Sequence, residues 1–113
     1  MSANVVIESL VKRGIFTTEE EAVRELISGY ILKQVGELQQ KISCFEQKYG
    51  MPFSQFVSYL HERSVLLEKG SFSPEQRRSL GQAIMQEEDD WLEWKASKEM
   101  LENWLGIRQE VAV

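Results

Sequence analysis

Apolar residues recur along this chain at three- and four-residue steps, and no segment sustains a period-two alternation. The first pattern belongs to helices with one buried face and the second to half-buried strands, so the expected fold is all-α with about four helices. A short first segment runs from about Val5 to Arg13. The second starts near Glu19 and runs to about Tyr49, with apolar positions at Val23, Ile27, Ile31, Val35, Leu38, Ile42, Phe45 and Tyr49. From Ile31 onward these positions alternate between four- and three-residue steps, the spacing of a coiled-coil seam. A third segment opens at Pro52 and places Phe53, Phe56, Val57, Leu60, Ser64 and Leu67 on one face. The fourth opens at Ser73-Pro74-Glu75-Gln76 and continues to about Leu105, with the four carboxylates Glu87, Glu88, Asp89 and Asp90 as a candidate point of interruption.

The breaks between segments carry their own chemistry. Lys12 and Arg13 suit the negative end of a helix, and Gly14 can take the left-handed conformation that closes one. Thr17 and Thr18 are N-cap candidates, with Glu20 and Glu21 three residues on to complete a capping box. Gly50, Gly70 and Gly106 are the expected stops of the second, third and fourth helices. Ser73 is an N-cap, Pro74 a first helical residue and Gln76 the partner in a second capping box.

Two of the helices are two-sided. On the second, Ala22, Gly29, Gly36 and Ser43 recur every seven residues opposite the apolar seam. A mid-helix glycine costs ~1 kcal/mol relative to alanine, and its repetition points to close approach of another backbone. The expected self-association surface therefore comprises Ala22, Val23, Leu26, Ile27, Gly29, Ile31 and Gly36, flanked by Leu32 and Cys44. On the fourth helix, Leu80, Ala83, Ile84, Trp91, Trp94, Leu101 and Leu105 share one face. Met85, Leu92, Ala96, Met100 and Ile107 lie roughly opposite. Apolar surface beyond what a small core uses is commonly an interface, and tryptophan is a favoured anchor there.

Composition narrows the function classes. A chain of 113 residues with 42% hydrophobic and 27% charged residues reads as one soluble domain with a modest core. A net charge of −5 fits a basic partner better than a nucleic acid. Cys44 is the sole cysteine, which excludes an intrachain disulfide and a cysteine zinc cage. No positively charged start leads into an apolar run, and no stretch approaches the ~20 apolar residues of a membrane span. No membrane partner is expected, and a cytoplasmic location is.

Catalysis is not expected, and no cofactor is. His61 is the sole histidine, so two-histidine metal sites cannot form within one chain. Cys44 has no basic neighbour to activate it and reads as a buried or half-buried small apolar residue. The run Glu87–Asp90 lacks the glycine and alternating ligands of a calcium loop. Gly29 and Gly36 are followed by no Lys-Ser/Thr, which excludes a phosphate loop.

The order from Ser9 to Leu26 (helix end, Gly14, Ile15-Phe16, Thr17-Thr18, Glu19-Glu20-Glu21, Ala22-Val23-Arg24-Glu25-Leu26) resembles the helix–turn–helix portion of ribbon-helix-helix antitoxins of type II toxin–antitoxin systems. The block Phe45-Glu46-Gln47-Lys48-Tyr49-Gly50-Met51-Pro52-Phe53-Ser54-Gln55-Phe56 is similar to a segment that follows the first helices in small prokaryotic antitoxin-like proteins. The stretch from Asp89-Asp90-Trp91 to Trp104-Leu105 is similar to toxin-binding tails. The resemblance implies a prokaryotic protein that dimerises through its N-terminal part and covers a toxin with its C-terminal part. It also implies operator DNA as a partner, with Thr17 and Thr18 as the candidate phosphate contacts. No Lys or Arg precedes Lys12, however, so an N-terminal strand would have little with which to read bases.

The resulting expectation is a single helical domain over 1–113. Residues 1–50 form the dimerisation helices, 51–70 the third helix, 71–106 a partner-binding helix and 107–113 a loose tail. The chain is expected to form a homodimer or higher oligomer and to bind a basic protein, a toxin in the antitoxin reading. Trp91, Trp94, Leu101, Trp104 and Leu105 are the expected anchors, with Glu87, Glu88, Asp89 and Asp90 steering the partner. The alternatives are a helical adaptor or assembly protein without a toxin, and a DNA-binding regulator.

Overall fold

The computed structural model describes residues 2–112. Among them the chain is all-α, with four helices and no strand: α1 (Ala3–Lys12), α2 (Glu19–Tyr49), α3 (Phe53–Lys69) and α4 (Pro74–Ala112).

The helix ends follow the capping chemistry closely. Ser2 accepts from the backbone N–H of Val5 and starts α1 earlier than the apolar pattern alone implies. At the other end Gly14 sits at φ 75°, with its N–H on the carbonyl of Val11 and that of Ile15 on the carbonyl of Leu10. That pair of bonds is a Schellman closure, which a side chain with a Cβ would strain. Thr18 Oγ1 accepts from Glu21 N at 3.1 Å, while the Glu21 carboxylate reaches back to Thr17 N. Gly50, at φ 66°, donates to Glu46 O and ends α2. Ser73 and Gln76 form a reciprocal box, each side chain accepting from the other's backbone N–H. Arg77 then closes α3 from outside, donating to Leu67 O at 2.8 Å and Gly70 O at 3.2 Å.

α4 runs unbroken through the candidate interruption at Glu87–Asp90, and it departs from expectation in passing Gly106 to reach Ala112. Like-charge pairs on one helix cost only about 0.2–0.5 kcal/mol each, and within this run Glu87 meets Arg63 and Asp90 meets Lys48. One glycine costs about 1 kcal/mol, which the good helix formers around it absorb. The expected loose tail is therefore helical through residue 112, and Val113 lies outside the described residues.

The chain divides into two compact units, Leu38–Met100 and Met1–Glu37 with Leu101–Val113. The first, called here the central unit, contains the end of α2, all of α3 and most of α4. Its core is Phe45, Phe56, Leu60 and Trp94, with Ile42, Tyr49, Met51, Phe53, Tyr59 and Trp91 packed around it. Trp94 is completely buried. Phe45 stacks on it at 5.6 Å, and Phe53 and Phe56 each lie 5.3 Å away.

The terminal unit is built differently. Its buried apolar residues are Ala22, Ile31 and Val35. Tyr30 and Trp104 meet edge to face at 5.7 Å. No residue of α1 is buried. The seam expected along α2 is thus internal from Ile31 onward, where its regular steps begin, while Val23 and Ile27 before it are exposed.

Removing the Trp94 indole should leave a hole that neighbouring rings cannot fill. Trp94→Ala is expected to destabilise the central unit by about 3–5 kcal/mol, and Trp94→Phe by clearly less. Urea unfolding followed by near-UV circular dichroism measures both, and a Trp94→Ala midpoint equal to the parent's would contradict this account of the core.

Candidate interaction surfaces

The expected partner-binding residues divide by environment. Trp94 has no exposed surface, so its assignment as a partner anchor is corrected: it anchors the chain's own core. Trp91 is half-buried against that core, and Leu101, Trp104 and Leu105 are half-buried in the terminal unit. Glu88 and Asp89 are exposed, and neither has a cation within 4.0 Å among the described residues.

Glu87 and Asp90 are also corrected, because both are engaged internally. The Glu87 carboxylate is buried and takes Arg63 Nη2 at 2.6 Å. The contact is single-point: Arg63 Nε and Glu87 Oε2 have no hydrogen-bond partner. A buried ion pair of this kind offsets little more than its own desolvation, so its role is to match α3 to α4 rather than to add much stability. Asp90 Oδ2 accepts from Lys48 Nζ at 2.6 Å and from the Tyr49 hydroxyl. Burial pushes the Asp90 carboxyl up, but the hydrogen bonds from Lys48 and Tyr49 outweigh it and hold the group below its ordinary value. Burial, followed by the adjacent Asp90, drives the Tyr49 phenol well above the ordinary range. These contacts tie the end of α2 to α4 beside the aromatic core. Lys41 and Glu93 add a more exposed bridge at 2.7 Å.

The expected self-association set divides in the same way. Ala22 and Ile31 are buried within the chain and have no surface for a second copy, which corrects their assignment. Val23, Leu26 and Ile27 are exposed, and Tyr30 continues their face one turn on. These positions stand at i, i+3, i+4 and i+7, so they form one stripe along α2. All four are between 38% and 56% exposed. Gly29 and Gly36 are exposed, and a Cβ placed on either would meet nothing within 4 Å. Nothing among the described residues therefore requires glycine at these two positions.

Two grooves border these surfaces. In the terminal unit, Asn4 and Ile7 of α1, Glu20, Val23 and Arg24 of α2 and Val111 of α4 line one of ≈ 440 Å³. In the central unit, α3 and α4 enclose one of ≈ 310 Å³ that reasoning from sequence missed. Its α3 wall is Val57, Leu60, His61 and Ser64, and its α4 wall is Glu88, Trp91 and Leu92. The signal was present in the i, i+3, i+4, i+7 spacing of the α3 residues, but the same spacing equally describes a core face.

Thr18, a candidate phosphate contact, uses its hydroxyl to cap α2. Glu19, Glu20 and Glu21 in the first turn there make the helix end unwelcoming to a further anion. Thr17 is exposed beside it. Cys44, expected to be buried or half-buried, is exposed. No group of three or more His, Cys, Asp or Glu side chains among the described residues is arranged to hold a metal ion. None of the described helices is long and apolar enough to cross a membrane.

The Asp90 cluster gives the central unit an acid-sensitive contribution. Because the folded carboxyl lies below its ordinary value of 3.8, the stabilisation is complete above that value and is lost as pH falls through the lower folded value. Asp90→Asn should cost about 1–2 kcal/mol near neutrality, where the parent's bonds are charge-assisted. The gap to the parent should close below the folded value. Denaturation curves taken in steps from pH 7 into acid read the gap narrowing below the ordinary value, and a gap independent of pH would contradict it.

No family model matches the chain, and no curated protein or solved structure does.

Proposed function

We propose that this protein acts without catalysis, as a self-associating helical binding protein whose terminal unit provides the association surface. The observation that carries the reading is the apolar stripe Val23, Leu26, Ile27 and Tyr30 on α2. It stands in a unit that buries only Ala22, Ile31 and Val35 among its described apolar residues. Val5 and Val6 of α1 are likewise exposed. A single small core rarely supplies more than about 3–5 kcal/mol, and one as thin as this supplies less. Pairing with a second copy buries the stripe and enlarges that core at once.

An antitoxin is the specific form of this reading favoured by the resemblance of Ser9–Leu26 and Phe45–Phe56. In that form the toxin-facing surface excludes Trp94, Glu87 and Asp90 and draws on the exposed Glu88 and Asp89. The expected neighbour is a gene for a small basic protein, toxic when expressed alone.

Light scattering on the eluting protein tests self-association. The parent is expected at a multiple of 13.1 kDa. The double variant Leu26→Glu/Ile27→Glu should dissociate toward the single-chain mass, each charge weakening the contact by at least about tenfold. A parent that elutes as one chain at all concentrations would sink the proposal.

A further inference from the structure

The central unit carries a second unpartnered surface, distinct from the stripe on α2. The groove between α3 and α4 has a floor of Leu60 and Trp91, with Val57 and Leu92 exposed at its edges. Leu92 also belongs to an outward row on α4 with Met85, Ala96 and Met100. The three large members of that row are between 52% and 67% exposed. Groove and row therefore form one apolar surface with Leu92 at its centre.

The charge around that surface selects its occupant. Glu88 lines the groove, and Asp89 and Glu99 are exposed on the same helix. None of the three has a cation within 4.0 Å among the described residues. The nearby cation, Lys95, lies over the Trp91 ring at 5.2 Å. Glu88, Asp89 and Glu99 outnumber Lys95 and leave the surface with a net negative charge, so laying a second copy of it face to face is opposed by like net charge. A nucleic acid is opposed by the same charges. A helix with one apolar face flanked by lysine or arginine meets both requirements. Its side chains one turn apart enter the groove and cover Leu92, and its cations meet Glu88, Asp89 and Glu99.

We infer that the α3–α4 groove and the Met85–Leu92–Met100 row together form a docking site for a basic amphipathic helix of a partner protein. The site does not depend on self-association through the terminal unit, and the two are separable by mutation.

Three synthetic peptides of about eighteen residues, long enough to fold on contact, test the site on the full-length protein. One places leucine on one helical face and lysine on the other, the second replaces lysine by glutamate, and the third replaces leucine by serine. Titration by calorimetry and by tryptophan fluorescence should show binding of the leucine–lysine peptide alone. Leu92→Asp and Val57→Asp should each weaken it by about tenfold or more. Glu88→Gln/Asp89→Asn should weaken it several-fold and flatten its salt dependence. These residues are exposed, so the far-UV spectrum of each variant should match the parent's, and Val57→Asp stands in if Leu92→Asp does not fold. Leu26→Glu/Ile27→Glu should change the oligomeric mass and leave peptide affinity unchanged. Equal affinity for the serine–lysine peptide would reduce the effect to charge attraction and overturn the site. So would unchanged binding in both aspartate variants. If those variants instead alter the oligomeric mass, a second copy is the occupant and the inference fails.

Discussion

An indole ring the size of Trp94 can be enclosed by a small helical unit only if several elements contribute to its surroundings. In the central unit α2 supplies Phe45 and Tyr49, and α3 supplies Phe53 and Phe56. Each ring is placed by a helix whose end is fixed nearby. Tyr49 is the last residue of α2, held beside Asp90, and Phe53 is the first residue of α3. The turn at Gly50 must therefore be tight for the two phenylalanines to reach the same indole that Phe45 stacks on. Burial of one side chain thus fixes the α2–α3 connection and the face that α4 presents inward. It also fixes, by exclusion, the face of α4 left outside.

That exclusion separates residues the sequence groups together. Trp91, Trp94 and Trp104 fall close in the chain behind a run of carboxylates, and a run of that composition resembles a recognition tail. In the folded chain Trp94 is internal, Trp91 lies at the edge of the same core, and Trp104 meets Tyr30 in the terminal unit. The carboxylates sort in the same way. Glu87 and Asp90, three residues apart, turn toward Arg63 of α3 and Lys48 of α2. Glu88 and Asp89 between them face outward. Helical geometry requires such a split whenever four consecutive positions share one kind of side chain. What the sequence does not state is which pair finds a cation.

Helix ends other than the one expected at Gly106, which α4 passes, were legible because their causes are local. Gly14, Thr18, Gly50, Ser73 and Gln76 act within one turn of the chain, and each acts as its residue type implies. The faces of α4 were legible too, since Ile84 and Trp94 are buried while Met85, Leu92 and Met100 are exposed. Two kinds of feature were not legible. The pairing of Glu87 and Asp90 within the run depends on cations supplied by other helices. The exposure of Val23 and Ile27 depends on how little α1 and the end of α4 can cover, a property of packing rather than of periodicity. The heptad steps of α2 begin at Ile31, and before them Ala22 is buried while Val23, Leu26, Ile27 and Tyr30 form a regular stripe that stays exposed.

The two units consequently leave apolar surface for different reasons, and this bears on what each surface suits. The central unit closes its core with aromatic rings and still exposes Leu92 and Met85, so its outer face is surplus to folding and bears unopposed carboxylates. A surface of that kind loses little when vacant and gains most from a partner of opposite charge. The terminal unit exposes Leu26, Ile27 and Tyr30 while burying little, so its stripe is a deficit in folding. Such a deficit favours an occupant present whenever the protein is, and a second copy meets that condition at every concentration above its dissociation constant. The proposed permanent association at one surface and the proposed exchangeable binding at another both rest on where each unit found, or failed to find, enough apolar contact of its own.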